Sequence, residues 1–364
     1  MRLFMTRSHR LLVSTLVGLW ICGTAAAQPD DALSALVDAW LASPHGSYHS
    51  PSFTYWNKDG AVPLQCAACH SQPGFVDFLG ADGTAAGVVD APAAINAPIG
   101  CASCHNSAAH ALDSVRFPSG VTVEGLGPSA TCSVCHQGRA STDAVAAATQ
   151  ALGEDAVSAD LGFINVHYGV AAAVNQGSQV RGGYQYPGRS YAGRFQHVPS
   201  ASTCVDCHEP HATTVALEPC LTCHRGVEDV RAIRMRHADF DGDGNAAGGI
   251  HSEIMGLQKR LGDAIQAYAA EVSSAPIGYA KGTFPYFFAD TDADGEIGPD
   301  EAIFPNRYQS WTPRLLKAAY NYQVAAKDPG GYVHNPTYML QLLHDSLESL
   351  SERVDIDMAS LDRP

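Results

Sequence analysis

A five-residue string recurs five times in this chain: CAACH at 66–70, CASCH at 101–105, CSVCH at 132–136, CVDCH at 204–208 and CLTCH at 220–224. The cysteine pairs are Cys66 and Cys69, Cys101 and Cys104, Cys132 and Cys135, Cys204 and Cys207, and Cys220 and Cys223. A histidine follows each pair: His70, His105, His136, His208 and His224. This is the attachment spacing of c-type haem. Two thiolates add across the porphyrin vinyl groups, and the adjacent histidine reaches the iron as proximal ligand. One copy alone would equally suit a zinc half-site or a redox-active dithiol. With 16 histidines in 364 residues, chance placement after all five pairs has odds on the order of one in ten million. The set therefore reads as five covalently bound haems.

The remaining cysteine fits the same reading. Eleven cysteines are present, and only Cys22 lies outside the motifs. It falls in a stretch that reads as a secretory leader over 1–27. Arg2, Arg7 and Arg10 form a positive start, Leu11 to Ile21 an apolar segment too short to span a bilayer, and Ala25-Ala26-Ala27 a cleavage site. Trp20 and Ile21 are poor predecessors for a lipidated cysteine, which argues against a lipoprotein anchor at Cys22. After export, every cysteine belongs to a haem motif, and none is left for a disulfide or a catalytic thiol. No later stretch is long and apolar enough to cross a membrane.

The formal net charge is −15, and it becomes more negative once the leader arginines are removed. Haem propionates add to it. That balance argues against nucleic acid or anionic lipid as partner. It suits other redox proteins, a basic one in particular, or bound calcium.

The elements that must hold the haems are short. Residues 30–44 carry apolar positions at helical spacing (Leu33, Leu36, Val37, Trp40, Leu41), and 141–152 reads as a second helix. NVHYGVAAAV at 165–174 is a further candidate, with His167 at its start. Residues 181–195 are rich in Gly, Tyr and Arg and read as turns or a hairpin, whose arginines are available to propionates. The last two motifs start 16 residues apart, so their haems must be neighbours. Beyond Cys223 the pattern is helical: Ile254, Leu257, Leu261, Ile265, Tyr268 and Val272 share one face. Thr312-Pro313 opens a helix through Lys327, and Asn335-Pro336 opens one through about Arg353.

Five irons call for up to five further ligands. Ten histidines remain: His45, His49, His110, His167, His197, His211, His237, His251, His334 and His344. Met235, Met255, Met339 and Met358 are rivals that would raise the potential. The stretch His197…CVDCHEPH…CLTCH resembles the doubled CxxCH cassette of multihaem c-type cytochromes. GGYVHNPTYMLQLL at 330–343 resembles the C-terminal His-Asn-Pro helix start of the group that includes cytochrome c nitrite reductase. The first resemblance implies His197 and His211 as distal ligands to neighbouring haems. The second implies His334, reaching back from a tail packed on the haems. His49 and His167 follow from local context, with His45 and His110 in reserve. The resemblance also implies haem attachment outside the cytoplasmic membrane. The chain lacks the CxxCK motif by which cytochrome c nitrite reductase binds its active haem, which weakens an enzymatic reading. The tyrosine cross-link of hydroxylamine oxidoreductase-like enzymes leaves no mark in sequence.

DTDADGEIGPDE at 290–301 matches an EF-hand loop at its ligand positions: Asp290, Asp292 and Asp294, the turn glycine Gly295, the Glu296 carbonyl and the bidentate Glu301. Pro285 and Pro305 flank it, so a rigid structural calcium site is expected rather than a switch. A second loop starts Asp239, Asp241, Asp243, Gly244, but its twelfth position is Ile250; Glu253 could close a longer loop.

The expected fold is mainly α with much irregular structure, organised around stacked haems, with a helical C-terminal region bearing an EF-hand-like loop. The expected divisions are a signal peptide at 1–27, a pentahaem region at 28–236 and a calcium-binding helical region at 237–364 packed on the haems. The expected role is electron transfer through bis-histidine haems, in the periplasm or at the cell surface. Two alternatives stand beside it. One is a reductase or oxidase of a small nitrogen or sulfur compound with one five-coordinate haem. The other is a homo-oligomer or filament that carries electrons outside the cell.

Overall fold

The computed structural model describes residues 29–234 and 236–364. The expected leader and Met235 lie outside those residues. The chain is mostly helical, with long irregular connections. Its only regular β-structure among the described residues is two antiparallel ribbons, 115–116 with 122–123 and 277–279 with 287–289.

Four long helices frame the fold. α1 is Pro29–Ala42, α2 Ile250–Glu271, α3 Pro313–Lys327 and α4 Pro336–Ser351. The last two begin as their sequences dictate. The Thr312 hydroxyl accepts from the Leu315 N–H, and the Asn335 side chain accepts from the Tyr338 N–H, each followed by proline at the first helical position. Such a cap satisfies an amide that the helix itself cannot, worth about 1 kcal/mol. α2, α3 and α4 pack on one another through Leu257, Leu261, Leu315, Leu316, Leu342 and Leu343, all fully buried. Each such side chain contributes about 1.5–3 kcal/mol relative to exposure.

This core does not stop at the tail. Val145, Leu161, Val166, Val170, Val174 and Tyr184, from the long gap between the third and fourth motifs, belong to the same apolar cluster. The Gly/Tyr/Arg-rich segment forms neither strand nor hairpin. It is an irregular strap laid on α3 and α4. The Asn321 side chain bonds both the N–H and the C=O of Tyr184, and the Gly182 carbonyl accepts from the Tyr320 hydroxyl. At Gly183 a Cβ would stand 2.3 Å from Leu342 Cδ1, so only glycine allows that approach. Two of the strap's arginines pair with carboxylates: Arg181 with Asp143, and Arg189 with Glu348.

A second core joins Phe75, Phe117, Leu126, Val134 and Val180 beneath the first three motifs. Between Tyr184 and Phe240, by contrast, no described residue is buried.

Candidate haem and cation sites

Each CxxCH histidine faces a histidine from outside the motifs, and His105 has a second such neighbour in His110. Ring centroids are 5.8 Å apart for His70 and His167, 6.1 Å for His105 and His211, and 6.2 Å for His136 and His45. They are 6.3 Å apart for His208 and His334, and 5.9 Å for His224 and His197. Two imidazoles on opposite sides of one metal ion, at metal–nitrogen bonds of about 2 Å, would place their centroids roughly 6.3 Å apart. The five spacings fit an iron between each pair. A direct histidine–histidine hydrogen bond would not require this distance five times, nor always pair a motif histidine with one from elsewhere.

Local structure aims these rings. Three of the motifs lie on or at the end of short helices, Leu64–His70, Cys101–Cys104 and Ser129–Cys135. His70 Nδ1 lies 2.9 Å from the Ser52 carbonyl oxygen, and His334 Nδ1 lies 2.8 and 2.9 Å from the two Asp328 carboxylate oxygens. An Nδ1–H held this way leaves Nε2 as the free lone pair. Gly169, with φ of +68°, passes so near His136 that a Cβ would stand 2.8 Å from its Nδ1.

The electrostatics favour neutral rings, the form that binds a metal. Burial is the main cause in each case. It pushes His136 down to about 4, assisted by the neighbouring His45, His208 and His334. It pushes His167 down to about 4, assisted by His70, Arg139 and Lys327. His45, His70 and His208 are lowered likewise. His334 is the exception. Burial lowers it too, but the charge and hydrogen bond of Asp328 prevail and raise it.

Sequence order is not spatial order. The first and third motifs pack together reciprocally: Cys69 Sγ lies 3.8 Å from the Val134 carbonyl, and Cys135 Sγ 3.8 Å from the Ala68 carbonyl. Cys132, of the third motif, lies beside Cys204 of the fourth. The Cys204 N–H donates to Ser129 Oγ at 3.1 Å. The third motif thus sits between the first and the fourth. The second motif is tied to the cassette through His105 and His211.

Of the expected distal ligands, His167, His197, His211 and His334 each stand opposite a motif histidine. His49 does not. It is exposed, and His45, four residues earlier, faces His136 instead. The turn between α1 and the first motif decides this. Gly46 tucks under Trp40, where a Cβ would stand 2.2 Å from the Trp40 carbonyl oxygen, and Ser43 bonds the same carbonyl. Sequence proximity to the first motif suggested His49; the signal that would have favoured His45 was this small-residue turn. His110 lies 6.5 Å from His105. Met339 is fully buried in the tail core, and Met255 is exposed.

The 290–301 loop gathers Asp290, Asp292 and Asp294, with carboxylate oxygens within 4.8 Å of one another. Gly295 has φ of +88°, and its N–H donates to Asp290 Oδ2 at 2.9 Å. Asp290 is buried, yet its Oδ1 has no hydrogen-bond partner. An orphaned buried carboxylate oxygen is costly in water-free surroundings and suits a cation. Glu301 folds back over the loop, accepting from the Thr291 and Gly298 N–H groups. The second loop draws Asp239, Asp241 and Glu253 together. Burial, with the charges of Glu253, Asp243 and Asp239, raises Asp241 to about 6. Glu253 is already engaged by Arg234 at 2.6 Å and by the Phe240 and Asp241 N–H groups.

The motifs place the protein in a class: it is a multihaem c-type cytochrome. It is similar to the C-type polyheme cytochrome OmcC of Geobacter sulfurreducens, 26% identical over 420 aligned residues that cover 95% of this chain and 49% of the relative. It is also similar to the C-type polyheme cytochrome OmcB of the same species, 25% identical over 403 aligned residues covering 91% of this chain and 49% of the relative. The chain spans about half the length of these curated relatives. No family model and no solved structure matches it. Among the described residues, no helix is long and apolar enough to cross a membrane.

Proposed function

We propose that the protein conducts electrons through five covalently bound haems c, each iron held by two imidazoles. The pairs are His70 with His167, His105 with His211, His136 with His45, His208 with His334, and His224 with His197. The observation that carries this reading is the set of five centroid spacings between 5.8 and 6.3 Å. An iron filled on both axial sides offers no open position to a substrate, so it exchanges electrons by outer-sphere hopping. Double histidine ligation favours low potentials.

The path follows the packing of the motifs. The haem of the third motif bridges those of the first and fourth. The fifth lies beside the fourth, and the second joins through His211. Because every pair lies within one chain, the reading asks for no ligand from a second copy. An oligomer or filament would be held by surface contacts alone. The role belongs to an exported protein, periplasmic or at the cell surface, that exchanges electrons with other redox proteins. The acidic surface suits basic ones.

The same reading gives the 290–301 loop a calcium ion held by Asp290, Asp292, Asp294, the Glu296 carbonyl and Glu301. The 239–253 loop is the weaker cation site, because Arg234 already neutralises Glu253. The division into a pentahaem region to 236 and a calcium-binding region from 237 describes the motifs. The shared core over residues 140–184 supports a tail packed firmly on the haems.

The test is haem stoichiometry joined to ligand replacement. Pyridine haemochrome and intact mass should give five haems per chain. His45→Ala should convert one haem to high spin, while His49→Ala leaves the spectrum unchanged. Fewer than five haems, or the reverse outcome at His45 and His49, would overturn the assignment.

A further inference from the structure

The end of α3 carries two buried, opposite charges that point at different haem sites. Lys327 is the last residue of the helix and Asp328 its C-cap. Asp328 is 5% exposed, and its carboxylate meets His334 Nδ1 at 2.8 and 2.9 Å. Lys327 is 8% exposed. Its ammonium lies 3.7 Å from the Tyr168 ring centroid and 4.1 Å from that of Tyr286, and the Tyr168 ring is 5.8 Å from that of His167. The helix end thus sets a carboxylate behind the distal imidazole of one haem and an ammonium on the tyrosine ring that borders the distal imidazole of another.

The consequences are opposite. A carboxylate that accepts the Nδ1–H makes the imidazole a stronger donor and stabilises the ferric iron. A fixed positive charge in a low-dielectric setting stabilises the ferrous iron, whose haem carries one less positive charge. We propose that the end of α3 sets a potential gradient, with Asp328 making the haem at His208 and His334 the more reducing and Lys327 making the haem at His70 and His167 the more oxidising. This rests on the ligand pairs proposed above. With haem bound, an electron released from the ferrous iron held by His208 and His334 would reduce the ferric iron held by His136 and His45, and from there the ferric iron held by His70 and His167. The bridging position of the third motif makes that route a direct one.

A second carboxylate–imidazole pair serves as an internal contrast. Glu209 Oε1 lies 3.0 Å from His211 Nδ1, but both side chains are about a third or more exposed. Solvent screens that pair, so its effect on the haem at His105 is small.

The experiment is a mediated redox titration of the five-haem protein followed by electron paramagnetic resonance. Asp328→Asn should raise the midpoint of one haem by about tenfold in its reduction equilibrium, about 59 mV for one electron, and leave the other four in place. Lys327→Gln should lower the midpoint of a different haem, by about threefold in the equilibrium. Glu209→Gln should move the potentials least. His334→Ala tests the ligand by itself: one high-spin haem per chain is expected. If His334→Ala stays wholly low spin, the ligand pair fails and the gradient with it. If His334→Ala behaves as expected but Asp328→Asn and Lys327→Gln leave every midpoint unmoved, or shift them in the same direction, the gradient alone fails. Should Asp328→Asn lose haem, Asp328→Glu and Lys327→Gln still decide the matter.

Discussion

Two stretches of this chain solve the problem of order in opposite ways. In α3, 13 of 15 residues are buried, among them Arg314, Lys317, Asn321 and Gln323. Arg314 is paired with Asp155, Lys317 with Glu154 and Asn321 with the Tyr184 backbone, and the Gln323 side-chain oxygen accepts from the Val166 N–H. From 196 to 233, which includes the doubled haem cassette, no residue is buried and none packs on either main apolar core. A segment with so little apolar side-chain burial cannot offset its conformational entropy from protein contacts alone. On the proposed reading its order comes from the thioether bonds and imidazole ligands of its haems. The difference teaches that side chains build the tail, whereas the cassette is left to its cofactor.

The largest expected effect follows from that contrast. Protein made without haem should be cleaved readily by protease within 196–233, while α2 to α4 resist much longer. Equal protection of both regions in haem-free protein would break the distinction. In the tail, Leu343→Ala should lower stability by about 2–5 kcal/mol, read as a fall in melting temperature with five haems retained. Loss of haem without loss of melting temperature would contradict it.

A third prediction concerns the ion cluster that joins the middle of the chain to the tail. Asp155 is bonded by Arg314, Tyr268 and Arg353. Burial pushes it up, but these partners win and hold it at about 2. Against an unfolded value of about 3.9, the depressed group contributes about 2 kcal/mol at neutral pH. That stability is fully present above the unfolded value and is lost as pH falls toward about 2. Asp155→Asn should therefore destabilise the protein near pH 7 and flatten the acid limb of its stability profile between about 4 and 2. An unchanged acid limb in the variant would remove Asp155 from this role. The smallest effect is expected at the calcium loop. Glu301→Gln should lower the melting temperature in calcium but not in chelator, and an equal loss in both would argue against a bound ion.

Much of this was legible in the residues, unevenly. The five motifs, the caps at Thr312 and Asn335 and the periodic face of α2 are local signals. Each carries its own chemistry within a few residues. The 141–152 segment forms a helix at Thr142–Thr149, and α4 ends at Ser351, near the expected Arg353. NVHYGVAAAV was only partly legible. His167 has φ of +70°, and the helix begins after it, at Ala171. That twist lets the ring face His70. What sequence could not give was adjacency in space. No period or spacing records the packing of the first motif on the third. The choice of His45 over His49 opposite His136 rests on the Ser43 and Gly46 turn, a signal that is faint without the fold. Nor could the sequence foretell that residues 140–184 share the tail's core. Their hydrophobic positions are too short and broken to name a partner.

The central claim is that all five irons are closed by histidines of this chain. Quantitative electron paramagnetic resonance of the fully oxidised, five-haem protein tests it most directly. Five low-spin ferric haems per chain, with no high-spin signal and no change on adding nitrite, hydroxylamine or sulfite, are predicted. A high-spin signal approaching one spin per chain, altered by any of those compounds, would mean an open iron and contradict it.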